Sequence, residues 1–70
     1  MERKRLNSGT IRSVGYDERS QMLEIEFTGG AIIQYSRVSP EVHRRFLAAP
    51  SPSSFFRDNI EESYSEHRVR

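Results

Sequence analysis

No cysteine occurs in the chain. That single absence excludes a disulfide, a thiolate nucleophile and a cysteine-built zinc site. A secreted domain of 70 residues ordinarily needs such staples, so a reducing cytosol is the expected location. Long apolar runs are missing too. The basic start Met1-Glu2-Arg3-Lys4-Arg5 is followed by no hydrophobic stretch, so neither a signal peptide nor a membrane span is expected. The glycine patterns of dinucleotide and P-loop sites are absent, and no serine sits in a glycine-framed elbow. No histidine–carboxylate spacing suggests a metal. The expectation is a protein with no cofactor, no small-molecule substrate and no catalysis of its own.

Lysine is nearly absent as well. Lys4 stands alone beside ten arginines, in a chain whose net charge is only +1. Arginine's planar fork suits phosphate and carboxylate and stacks on bases, although arginine-rich usage also follows from a GC-rich genome. Positive charge gathers at Arg3, Lys4 and Arg5, and negative charge at Asp58, Glu61, Glu62 and Glu66. Such a polarised surface is compatible with nucleic acid on one side only, or with charge pairing inside the molecule.

What remains is enough for one thin core. Hydrophobic residues make up 34% of the chain and charged residues 30%. A single core of this size supplies roughly 3–5 kcal/mol, so most apolar side chains are committed to folding and few are free to line a deep pocket. Thr10 to Tyr16 reads as a strand, with a bulge needed to bring Ile11 and Val14 to one face. Residues 22–28 alternate cleanly, with Leu23, Ile25 and Phe27 opposed to Glu24 and Glu26. A three-residue loop, Thr28-Gly29-Gly30 with Gly30 left-handed, sets Phe27 against Ala31, Ile25 against Ile33 and Leu23 against Tyr35. The third strand then runs from Ala31 to Arg37.

Ser39-Pro40-Glu41 starts a helix: serine caps, proline fits the first position and glutamate favours the positive end. Val42, Phe46 and Leu47 form its buried stripe, and Ala49 before Pro50 ends it. Ser51-Pro52 repeats the start, and Phe56, Ile60 and Tyr64 at intervals of four extend a second helix over 52–64. The expected fold class is α+β: a small three-stranded antiparallel sheet followed by two helices packed on one face. A polar arm over 1–8 precedes one domain over 9–64, and a tail over 65–70 frays.

The chemistry-bearing residues are few. His43 beside Arg44 and Arg45 reads as an ordinary helix-surface residue, and His67 belongs to the tail. Glu24 and Glu26 read as a solvated strand face. Phe27, Phe46, Phe55 and Phe56 fall on buried stripes. Tyr35, on the sheet and near Arg37, has the character of a base-stacking platform.

The segments Ser8-Gly9-Thr10-Ile11-Arg12-Ser13-Val14-Gly15-Tyr16-Asp17, Leu23-Glu24-Ile25-Glu26-Phe27, Gly30 through Tyr35 and Ser51 through Ile60 together resemble the KTSC domain. That family is named for an extension at the C-terminus of some lysyl-tRNA synthetases and also occurs as small stand-alone bacterial proteins. The likeness spans about residues 8–64. The family's central tyrosine-x-tyrosine is half kept as Ile33-Gln34-Tyr35. Ser53 and Ser54 stand where a glycine-containing turn is common, and Arg57 where asparagine is frequent. No activity comes with the resemblance; it implies RNA binding by way of the synthetase attachment. Two readings follow. One is an RNA-binding module using Arg12, Tyr35, Arg37, Arg44 and Arg45. The alternative is a protein–protein interaction module that docks through a sheet edge or the outer sheet face, with Ile32 exposed near Glu24 and Glu26.

Overall fold

In the computed structural model, which describes residues 3–70, the chain forms β1 (Arg3–Ser8), β2 (Ile11–Asp17), β3 (Met22–Phe27), β4 (Ile32–Tyr35), α1 (Pro40–Ala48), α2 (Pro52–Asn59) and β5 (Glu66–Arg68). The strands make one antiparallel sheet in the order β1-β2-β3-β4-β5. It has five strands where three were expected, and both additions are at the edges. In sequence, segment 1–8 reads as a loose arm because Arg-Lys-Arg carries no apolar alternation. An edge strand needs little of it: the backbone ladder to β2 holds β1, and only Leu6 packs against the core. Segment 65–70 is expected to fray, yet β5 pairs with β4 and the pairing continues through Val69 N–H to Ile32 C=O at 2.7 Å. All three β5 residues are exposed, so side-chain pattern could not reveal it. Met1 and Glu2 lie outside the described residues.

The hairpin follows its expected register. Leu23 faces Tyr35 and Ile25 faces Ile33. Gly30 takes φ +99°, while its N–H bonds Phe27 C=O at 2.9 Å. The bulge in β2 falls between Ile11 and Ser13, which leaves Ile11 and Val14 both buried. Strand β4 stops at Tyr35, short of the expected Arg37, because Arg37 turns left-handed at φ +62°.

Ser39 caps α1 by accepting the Val42 N–H at 3.3 Å, and Ala49 ends the helix before Pro50. Helix α2 stops at Asn59, well before the expected 64. The Ile60 and Glu61 N–H groups both bond Phe56 C=O at 2.9 Å, which closes the last turn. Asp58, Glu61 and Glu62 crowd the negative end of this helix, where carboxylates oppose the dipole. Ser51 does not cap the α2 backbone; its hydroxyl donates to Ser54 Oγ at 3.1 Å. A remote residue does that work: Ser8 Oγ accepts the Ser53 N–H at 3.4 Å. The β1–β2 turn therefore docks on the start of α2.

Both helices lie on one face of the sheet. Phe46, Phe56, Val38 and Ile60 pack there against Ile11, Val14, Leu23, Ile25 and Tyr35. Phe27 sits at the margin of this core, half-buried with its ring edge-on to Phe56. The other face has no layer over it. Glu26 accepts from Ser13 at 2.8 Å, Glu24 accepts from Gln34 at 2.9 Å, and Arg3 and Arg12 reach Glu24 and Glu26 at 3.4 and 3.9 Å. Ile32, expected to be exposed on this face, is only 5% accessible. No described helix is long and apolar enough to cross a membrane.

Candidate functional site

Three connections meet at the end of the sheet where β2 finishes. They are the β2–β3 turn, the β4–α1 link and the α2–β5 link. Val38 must enter the core, and its N–H bonds Gln21 C=O at 2.8 Å. Both residues that adjust the backbone around this bond, Gln21 at φ +55° and Arg37 at φ +62°, are left-handed without being glycine. Such a conformation costs about 1–2 kcal/mol for a residue with a Cβ. Across the gap, Ser36 N–H bonds Ser65 C=O at 3.0 Å. An open depression of about 570 Å³ results, lined by Ser36, Arg37, Ser63, Tyr64 and Ser65.

The same end carries a stacked pair. The Tyr16 and His43 rings lie 4.3 Å apart and 12° from parallel, and the Tyr16 hydroxyl donates to Val38 C=O. His43 is thus half-buried against β2 and not the surface residue its arginine neighbours suggested. Desolvation pushes its pKa below the ordinary histidine range. Burial, then Glu18 and Asp17, pushes the Tyr16 phenol up.

The five sequence candidates do not form one patch. Arg12 is exposed at the β2 bulge and leans over the open sheet face toward Glu26. Arg44 and Arg45 are exposed on α1, which covers the opposite face. Arg45 is engaged with Glu41 at 2.9 Å, one helical turn away. Tyr35 cannot serve as a platform: it is 1% accessible, edge-on to Phe56 at 5.4 Å. Burial, then Glu66 and Glu61, pushes its phenol up to about 12. Its parity toward the apolar face, paired with Leu23, already signalled core.

Arg37 is the candidate that the fold makes conspicuous. It is exposed, it borders the depression, and it makes no ion pair with another described residue. Arg19, exposed in the β2–β3 turn two residues before Gln21, belongs to the same end. Sequence reasoning missed Arg19; it missed Ser63 and Tyr64 because it continued α2 to 64, and Ser65 because it assigned 65–70 to a frayed tail.

A model of the KTSC domain matches residues 7–64. The chain belongs to the KTSC family. An uncharacterized protein of Stutzerimonas stutzeri (strain A1501) is 45% identical over 56 residues, covering 80% of this chain and 79% of that one. A protein of Tsukamurella paurometabola is 44% identical over 50 residues, covering 71% and 75%. The crystal structure of a KTSC domain protein from Yersinia pestis superposes with a TM-score of 0.92 at 33% identity, over 99% of this chain and 97% of that one. That superposition extends over both edge strands, which lie largely outside residues 7–64.

Proposed function

We propose that this KTSC domain is a non-catalytic binding module of the cytosol, and that its partner is RNA, held weakly through phosphates by Arg37 with Arg19 and Arg44. One observation carries this reading: Arg37 keeps an exposed guanidinium, unpaired among the described residues, in a backbone conformation that disfavours any side chain. Strain of this kind concentrates where a side chain is needed for binding. Loss of the Tyr35 platform removes base stacking from the reading and leaves phosphate contact. The acidic run from Asp58 to Glu66 limits the affinity.

With about three arginines displacing counterions, log affinity falls with log salt at a slope near −2 to −3. Titration with a short structured RNA at low and moderate salt tests this. Arg37→Glu and Arg44→Glu are expected to weaken binding without lowering the melting temperature. Absence of binding at low salt, or binding that neither variant changes, would promote the protein-interaction reading. That alternative now rests on the exposed edges β1 and β5, since Ile32 is covered and the carboxylates of the open face are already bonded.

A further inference from the structure

We propose that the depression bounded by Ser36, Arg37, Ser63, Tyr64 and Ser65 is a binding site for a phosphate monoester carried on a nucleoside. The proposal deepens the RNA reading and rests on it for the source of the ligand, which is either the phosphorylated end of a strand or a free nucleotide. Arg37 supplies a permanently charged, planar fork that matches two phosphate oxygens at once. The hydroxyls of exposed Ser63 and Ser65, from the facing segment, supply neutral donors for a third oxygen. Ser36 N–H to Ser65 C=O holds the two walls at a fixed spacing. Tyr64 is half-buried, so its ring is braced by the core while one part remains open to a sugar or base.

Size separates this ligand from a bare anion. About 570 Å³ lies within the range of small-molecule sites and far exceeds what inorganic phosphate fills. A terminal phosphate is also the better match than an internal one. It presents three free oxygens to donors arriving from two segments, whereas a phosphodiester presents two and needs an exit for chain on both sides. The conformation of Arg37 bears on the same site. Glycine at this position would relieve the left-handed backbone, so an arginine there carries a conformational cost that a ligand contact would offset.

The carboxylates of Glu61 and Glu66 act against the ligand, and their field already reaches Tyr35 beside the site. Removing one of them is therefore expected to strengthen binding. The experiment titrates the full chain, by amide chemical-shift perturbation, with adenosine monophosphate, inorganic phosphate, and one short RNA bearing either a phosphate or a hydroxyl at its 5′ end. Expected is a saturable shift confined to residues 36–37 and 63–65 with the nucleotide, and weaker binding of inorganic phosphate. Arg37→Gly is expected to lower nucleotide affinity at least about tenfold while the melting temperature holds or rises. Glu66→Gln is expected to raise affinity severalfold.

Nucleotide affinity unchanged in Arg37→Gly, or no shift at these residues, overturns the proposal. RNA that binds equally with either end and weakens in Arg44→Glu, while the nucleotide gives no shift at these residues, overturns it and leaves the RNA reading standing. Nucleotide binding without RNA binding upholds the site and assigns it to free nucleotide. A preference for the phosphorylated strand upholds it and assigns it to the RNA end.

Discussion

The two ends of the sheet use the same unusual backbone conformation with different residues. Where β2 begins, Asn7 at φ +52°, Gly9 at φ +55° and Gly30 at φ +99° turn the chain; glycine adopts this region at no steric cost, and asparagine visits it more readily than other residues with a Cβ. Where β2 finishes, Gln21 and Arg37 do so at φ +55° and +62°, against the preference of any residue with a Cβ. Space explains only part of the contrast. A Cβ on Gly9 would approach Ser53 Oγ to 2.6 Å and its Cβ to 2.9 Å, so glycine is required there by contact as well as by conformation. A Cβ on Gly30 would meet nothing within 4 Å. The glycine end, with Asn7 its one left-handed residue that carries a Cβ among those described, is thus the less strained of the two and is built for docking on α2. The arginine end is strained and open.

Gly9→Ala is the substitution that strikes the relaxed end hardest. It combines left-handed strain of about 1–2 kcal/mol with an overpacking cost of about 1–3 kcal/mol at the start of α2. The sum approaches the whole stability expected of a domain this small. Chemical denaturation should show a much reduced midpoint or no cooperative transition. A midpoint near that of wild type would mean that the Ser8–Ser53 contact yields easily and that this end is no more rigid than the other.

Gly30→Ala isolates the conformational term. It is expected to cost about 1 kcal/mol, while Gly29→Ala, with no positive φ and open space around it, should be close to neutral. Equal costs would show that the turn tolerates another register. Arg37→Gly reverses the experiment at the far end, where relief of strain is expected to offset glycine's added unfolded-state entropy and give a gain of up to about 1 kcal/mol. A clear loss of stability would show that Arg37 has a structural role, and would remove the contrast between the two ends.

The relaxed end was largely legible in the sequence. Alternation in Leu23-Glu24-Ile25-Glu26-Phe27 and the need to keep Ile33 and Tyr35 on the same face fixed both the loop length and the left-handed glycine. The Ile11–Val14 parity conflict announced the bulge for the same reason. Strands β1 and β5 were not legible, because edge strands are held by backbone ladders that leave little trace in side-chain pattern. The site was half legible. Arg37 and Arg44 stood out by charge, but a left-handed arginine has no sequence signature. Its partners across the depression come from residues 63–65; a helical period running through Ile60 to Tyr64 disguised Ser63 and Tyr64, and the expected frayed tail took in Ser65. Helix dipole chemistry was the available warning, since Asp58, Glu61 and Glu62 suit a helix end better outside it than within.

The smallest expected effect is a pH dependence confined to the strained end. His43 is packed flat on Tyr16, and burial pushes its pKa below the ordinary value of 6.5. The folded chain therefore binds this proton more weakly than the unfolded chain does. By linkage, the stability this group contributes is fully present above pH 6.5 and is lost as the pH falls through that value toward the lower folded pKa. Carboxylates protonate mainly below about pH 5, so a window between roughly pH 7.5 and 5.5 separates the two contributions. Thermal melts of wild type across this window should show a modest decline on acidification. His43→Phe keeps an aromatic ring on Tyr16 and removes the titrating nitrogen, so its melting temperature should be flatter over the same range. Parallel slopes for the two proteins would mean that protonated His43 is accommodated as well as the neutral ring, and that the Tyr16–His43 stack opens readily at the end of the sheet that carries Arg37.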